Sequence, residues 1–135
     1  MESRSVIIRS VWAICLLIGG GNHAYILFQH GLFWDYDGAH PASAIYWTLL
    51  TVVDPLVAAL LFLKPRFGIT LTIVLIVTNV IHNLATIAHN VRDGEFLERA
   101  SHSIILSQIG FMVFVLITAP IARQGLIKVH SGRDA

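Results

Sequence analysis

Apolar residues gather into four runs along the chain, and polar residues concentrate in the connections between them. A helix rises about 1.5 Å per residue, so about 20 apolar residues cross the roughly 30 Å hydrocarbon core of a bilayer. The pattern therefore predicts an all-α protein, an integral membrane four-helix transmembrane bundle that forms a single domain over residues 1–135. The predicted spans cover residues 11–28, 43–63, 69–89 and 103–121.

Basic residues predict the orientation of these spans, because cytoplasmic loops are enriched in Lys and Arg. Seven basic residues fall on one side of the predicted bundle and two on the other. The seven are Arg4, Arg9, Lys64, Arg66, Arg123, Lys128 and Arg133, and the two are Arg92 and Arg99. We expect a multi-pass protein of the cell (inner) membrane with both termini cytoplasmic. We also expect the first span to be retained, because residues 19–24 contain no clean small-residue cleavage site of a signal peptide and apolar character resumes through Phe28.

The connections on the outer side differ in character from those on the inner side. They hold five acidic residues and several aromatic ones, which predicts an aromatic belt at the headgroup level. The acidic residues are Asp35, Asp37, Asp93, Glu95 and Glu98, and the aromatic ones are Phe33, Trp34, Tyr36, Tyr46 and Trp47. A short interfacial turn is predicted at residues 94–99, and a frayed tail at residues 131–135.

Composition narrows the function classes. The chain is 56% hydrophobic and 13% charged, with a mean hydropathy of +0.73, which leaves too little polar surface for a water-soluble domain of 135 residues. A net charge of +1 lacks the basic excess that a nucleic-acid surface needs. Cys15 is the single cysteine, so no disulfide within the chain and no paired-cysteine metal motif is expected.

Intramembrane polarity is predicted to lie in the outer half, which leaves the cytoplasmic half as an apolar anchor. Six of the seven histidines map to the outer half or its loops, and only His130 maps to the inside. Span three also carries six polar residues at helical spacing, which form one stripe that must face the bundle interior or a wet cavity. The outer histidines are His23, His30, His40, His82, His89 and His102, and the stripe is Asn79, His82, Asn83, Thr86, His89 and Asn90. The alternative is that this stripe only bonds neighbouring helices together.

Span two contributes Asp54, which lies about 13 Å from the cytoplasmic end and so near the bilayer midplane. An ionisable residue at that depth is a functional hypothesis by default. By the same arithmetic His23 and His82 lie roughly 18 to 20 Å above the cytoplasmic edge. All four spans therefore offer polar side chains to one buried region, open toward the outside. The predicted pocket residues are His23, Thr51, Asp54, Asn79, His82, Asn83 and Gln108.

The layout of most of the chain resembles the EXPERA superfamily, four-helix membrane proteins that include emopamil-binding sterol isomerases. The matching features are His23-Ala24-Tyr25-Ile26-Leu27 at the end of span one, an aromatic and acidic outer loop, and the mid-helix pair Asp54-Pro55. The resemblance implies a pocket for a small amphipathic or lipid-like ligand, with Asp54 as anchor and His23 as helper. Members of that family use carboxylates on their early helices. Spans one and three of this chain contain no carboxylate, so the resemblance implies that role for Asp54 alone.

Other functions stay open at the level of sequence. His23 and His82 at equal depth would suit the axial positions of haem b, and His30, His89 and His102 would suit a divalent metal. A proton-coupled carrier built as a homodimer around Asp54, and an accessory subunit of a larger membrane complex, are further alternatives. Asp54 and His82 form one candidate acid/base pair for catalysis, but no nucleophile is paired with a base, which leaves enzymatic activity open.

Overall fold

The computed structural model describes residues 2–91 and 94–126, and within these residues the fold is all-helical, with no strand. Of the five helices in this described part of the chain, four are long and apolar enough to cross a membrane, which confirms the predicted all-α class and the number of candidate spans. The helices are α1 (Glu2–His30), α2 (Pro41–Leu63), α3 (Pro65–Asn90), α4 (Phe96–Ala100) and α5 (Ser103–Ala122). The short α4 lies close to the predicted interfacial turn.

The observed helices are longer than the predicted spans, and α1 differs most because it begins at Glu2 rather than near residue 11. Arg9, which hydropathy places before the span, is buried inside the helix, because its guanidinium has a partner on α2. Pro41 and Pro65 begin α2 and α3, and the first turn of a helix suits the fixed φ angle of proline. The predictions for Arg92, Asp93, Lys128, His130, Arg133 and the tail at 131–135 lie outside the described residues.

The four long helices close into a ring in which α1 packs against α2 and α5, and α3 packs against α2 and α5. We use "lower half" for the part that holds the starts of α1 and α3 and the ends of α2 and α5, and "upper half" for the opposite part. Lys64 alone separates α2 from α3. This tight hairpin depends on Gly68, where a Cβ would lie 2.5 Å from the backbone of Leu60 and Leu61.

The fully buried side chains concentrate in the lower half of the bundle. Trp12, Leu61, Ile69 and Val115 have no exposed surface and come from all four long helices. Thr72 is buried with them, and its hydroxyl donates a hydrogen bond to the Gly68 carbonyl of the same helix. The lower half is thus the packed core that holds the helices together.

Polar groups on α1 tie the ends of two neighbouring helices in this half. The last four carbonyls of a helix have no partner within it. Ser5 Oγ donates to the Ala122 carbonyl at the end of α5 at 2.6 Å, and Arg9 Nη1 donates to the Leu61 carbonyl near the end of α2 at 2.7 Å. The expectation of a purely apolar anchor in this half is therefore wrong, because buried polar side chains satisfy the helix ends.

Candidate functional site

A cavity of about 650 Å³ occupies the upper half, with walls from all four long helices and from the connection between α1 and α2. Its lower part, which we call the floor, is lined by apolar side chains and one thiol: Cys15, Leu16, Leu75, Ile76 and Phe111. Above it lies a polar belt, made of Asn22, His23, Asp54, Asn79, Asn83 and Gln108. The top, or roof, is again mostly apolar and includes Ile26, Tyr36, Ile87, Ile104 and Ile105.

Asp54 is the acidic side chain of the polar belt. It is 7% exposed and lies against α1, where a Cβ on Gly19 would come within 3.1 Å of Asp54 Oδ2. The adjacent Gly20 faces Pro55 with similar closeness, so the two glycines let α1 approach the helix that carries the acid. Among the described residues, the Asp54 carboxylate forms no side-chain hydrogen bond and no ion pair. A buried carboxylate without a partner is costly, so this group is poised to accept a hydrogen bond from a bound molecule.

Asn83 links three helices within the same belt. Its Oδ1 accepts a hydrogen bond from Trp47 Nε1 of α2 at 2.9 Å, and its Nδ2 donates to Gln108 Oε1 of α5 at 2.7 Å. The same Nδ2 lies 3.4 Å from Asn79 Oδ1 one turn below on α3. Part of the polar stripe on α3 therefore bonds helices together, as the alternative interpretation of the sequence supposed, while the same side chains also line the cavity.

The two buried histidines of the predicted pocket separate in the structure. His23 lines the cavity, and its buried Nδ1 has no hydrogen-bond partner among the described residues. His82 does not line the cavity; its ring packs between α2 and α3, 4.4 Å from the ring of Tyr46 and 5.7 Å from that of Trp47. The two imidazoles thus do not share the cavity as a pair of axial haem ligands would.

Five of the seven predicted pocket residues thus meet in one cavity, and two lie outside its lining. The five are His23, Asp54, Asn79, Asn83 and Gln108. Thr51, like His82, is absent from the lining, and its buried hydroxyl has no partner among the described residues. Among the described residues, no side-chain hydrogen bond joins His82 to Asp54, the candidate acid/base pair, and of the two only Asp54 lines the cavity.

The histidines at the upper end have structural contacts. His40 Nδ1 accepts the Ala42 N–H at 3.2 Å and caps α2, and His102 Nδ1 lies 3.5 Å from the Ile104 nitrogen at the start of α5. His30 stacks on Trp34 with ring centroids 3.9 Å apart. Within residues 2–91 and 94–126, no three His, Cys, Asp or Glu side chains gather as metal ligands, so His30, His89 and His102 do not form a cluster.

The connection at residues 31–40 contributes one residue, Tyr36, to the cavity lining and carries a series of packed aromatic rings. Tyr36 packs against Trp34 at 4.6 Å and against Trp47 at 5.1 Å, and it lines the cavity with a buried hydroxyl that lacks a partner. Its φ of 53° and that of Asp37 at 59° are left-handed, which is rare for a bulky side chain and typical of functional loops. Tyr36 and Trp47, predicted for the headgroup belt, therefore both line the cavity, Tyr36 in the roof and Trp47 at the polar belt, where its Nε1 bonds to Asn83.

Sequence reasoning missed several lining residues, notably Cys15, Asn22, Tyr36 and Ser107. Asn22 has a signal in the sequence, because a second polar residue stands next to His23 inside an apolar run. Tyr36 has a weaker one, the Asp37-Gly38 pair that marks a turn beside it.

No family model matches this chain, and neither the curated proteins nor the solved structures give a match. The fold and cavity therefore define its class: a bundle with four helices of membrane-spanning length around a cavity with apolar ends and a polar belt.

Proposed function

We propose that this chain is a multi-pass protein of the cell inner membrane and that its cavity binds a small amphipathic or lipid-like ligand. Insertion is supported by the outward faces of the long helices, which carry large apolar side chains. Val52, Ile81 and Ile117 are all more than half exposed on three different helices. Such a surface is stable in hydrocarbon and unfavourable in water.

The proposed orientation places the lower end of the bundle in the cytoplasm. Among the described residues, exposed basic side chains cluster at that end, namely Arg4, Lys64, Arg66 and Arg123. At the upper end Arg99 lies 3.8 Å from Glu95, so its charge is partly balanced. This asymmetry follows the positive-inside rule and supports cytoplasmic termini.

The shape and chemistry of the cavity support the ligand class. A volume of about 650 Å³ lies within the range of roughly 300–1,000 Å³ that is usual for small-molecule sites. Its floor and roof suit an apolar body, and its belt suits a polar group in between. A ligand of this kind would have a hydrocarbon framework and a hydroxyl or amine that donates a hydrogen bond.

The single observation that carries the proposal is the unpartnered Asp54 carboxylate, buried against Gly19 and open to the cavity. A donor from a ligand would satisfy it and offset the cost of its burial. His23, with an unpartnered Nδ1 on the same cavity, would supply a second polar contact. These two residues are also those that the resemblance to the EXPERA superfamily implies for ligand contact.

The test is thermal stabilisation of purified protein in lipid nanodiscs by a panel of single-chain alcohols, single-chain amines and sterols. A ligand at 100 times its Kd stabilises the folded state by about 2.7 kcal/mol, which a melting curve resolves. We expect at least one chemical class to stabilise the wild type, and Asp54→Asn to remove most of that shift, because an amide is a weaker acceptor than a carboxylate.

Glu95→Gln is the matched control, since it removes an exposed carboxylate at the upper end. It should leave the ligand-dependent shift unchanged. The proposal is wrong if no class stabilises the wild type, and Asp54 is not the anchor if Asp54→Asn retains the full shift.

A further inference from the structure

Three of the four seams of the helix ring are closed at the level of the polar belt. Between α1 and α2, Gly19 lies directly against Asp54. Between α2 and α3, Trp47 bonds to Asn83, and between α3 and α5 the same Asn83 bonds to Gln108. Each of these three seams therefore has a side-chain contact across it at this level.

The fourth seam, between α1 and α5, is closed only in the lower half. There Ser5 bonds to the Ala122 carbonyl, and Trp12 Nε1 donates to Thr118 Oγ1 at 3.1 Å. Among the described residues, no side-chain hydrogen bond joins these two helices above that level. A Cβ on Gly110 of α5 would meet nothing within 4 Å, which shows open space on that helix above its last contacts.

Cavity-lining residues on both helices of this seam are also exposed on the outer surface. On α1, Ile18 is 68% exposed and Asn22 is exposed as well. On α5, Ile104 is 52% exposed and Ser107 is exposed. Side chains that line a cavity and still face outward form the rim of an opening, and we call these four residues the rim.

We infer that the cavity opens sideways between α1 and α5 into the bilayer, and that a single-chain amphiphile enters there with its polar head first. The inference rests on the proposed function and adds a route and an orientation to it. Asp54 on α2 lies across the ring from α5, so the head reaches the acid at the back wall. The chain then lies toward Ile18 and Ile104, which are apolar.

Packed aromatic rings lie at the upper end of the cavity, which favours entry from the membrane. The connection at residues 31–40 contributes Tyr36 to the roof, and Tyr36 packs between Trp34 and Trp47. A ligand from water would have to pass these rings, whereas a molecule dissolved in the bilayer meets the rim directly. The two polar rim residues, Asn22 and Ser107, offer hydrogen bonds to a head group on its way in.

The experiment compares two double variants in nanodiscs. Ile18→Phe with Ser107→Phe narrows the rim, and Leu17→Phe with Leu106→Phe adds the same rings at exposed positions outside the cavity lining. The probes are two single-chain alcohols, one brominated beside the hydroxyl and one at the chain end. Bromine quenches tryptophan fluorescence on contact, and Trp47 lines the cavity.

We expect saturable quenching of the wild type, stronger for the alcohol brominated beside its hydroxyl, because the head lies at the level of Trp47. The association rate of the brominated alcohol should be at least tenfold lower in the rim variant than in the wild type. In the control variant it should stay within twofold of the wild-type rate. An unchanged rate in the rim variant overturns the sideways route but leaves the proposed function standing. No saturable quenching in the wild type overturns both, and stronger quenching by the chain-end bromine overturns the orientation.

A second measurement covers the case in which the rim variant does not fold, judged by loss of cooperative melting. Cys15 is the single cysteine of the chain and lies on the cavity floor. In wild-type nanodiscs, a lipid-soluble N-alkylmaleimide should label it at least tenfold faster than a charged, sulfonated maleimide from water. Equal rates, or faster labelling by the charged reagent, would overturn the route.

Discussion

Substitution of Asn83 by alanine tests whether the polar belt holds the upper half of the bundle together. The change removes two well-formed interhelical hydrogen bonds, at 2.9 Å to Trp47 and at 2.7 Å to Gln108. It also removes the longer contact of 3.4 Å to Asn79 on the same helix. Because Asn83 joins α2, α3 and α5, its loss should loosen three helices at once.

The expected magnitude follows from interhelical hydrogen bonds in membrane bundles, which are worth about 0.6 kcal/mol on average and about 1.7 kcal/mol at most. Two such bonds give a loss of about 1–3 kcal/mol in the free energy of unfolding. Trp47→Phe removes only the first bond, so its loss should be about half as large. In a double-mutant cycle, Trp47→Phe and Asn83→Ala should couple by about 0.6–1.7 kcal/mol.

The assay is reversible unfolding in mixed micelles titrated with a denaturing detergent and followed by circular dichroism. Asn90→Ala is the matched control, because that asparagine is exposed at the end of α3. It should leave the free energy of unfolding unchanged. If Asn83→Ala unfolds with the same free energy as wild type, or if the cycle shows no coupling, the hydrogen-bonded link between helices does not stabilise the bundle.

Two further predictions concern packing in the lower half and along α1. Gly68→Ala should destabilise the protein by about 1–3 kcal/mol, because its Cβ would clash with the α2 backbone. Gly21→Ala is its control, because a Cβ there meets nothing within 4 Å. In the same detergent titration it should be neutral or stabilising by up to about 1 kcal/mol. Arg9→Met should lower the free energy of unfolding by about 1.5–3 kcal/mol, because it removes a charged donor from the Leu61 carbonyl. Arg4→Met is its control at an exposed position and should change the detergent midpoint very little. Equal effects within either pair would contradict the corresponding contact.

The number and positions of the long helices were predictable because hydropathy sums over about 20 residues and tolerates local errors. The start of α1 was not, because a buried Arg9 is stable only through a carbonyl on another helix, 52 positions away in sequence. The capping of α2 by His40 was likewise hidden, since histidine is not a usual capping residue.

The depth of the polar site along the helices was predictable, but the direction in which each side chain points around its helix was only partly so. Helical rise places His82 and Asn83 at nearly the same depth, yet successive residues point about 100° apart around the helix. Asn83 consequently faces the cavity, and His82 faces the aromatic rings of α2. Tyr36 was beyond sequence reasoning, because its left-handed backbone arises from the loop as a whole.

The contacts of Ser5 and Trp12 have a consequence for the way the protein is made. Their partners, the Ala122 carbonyl and Thr118, follow 117 and 106 positions later in the chain. Because α1 is synthesised before α5, its polar groups stay without these partners until α5 has been made. Closure of the ring is thus a late event in biosynthesis, and a chain that stops before α5 would leave α1 as an open edge for quality-control proteases.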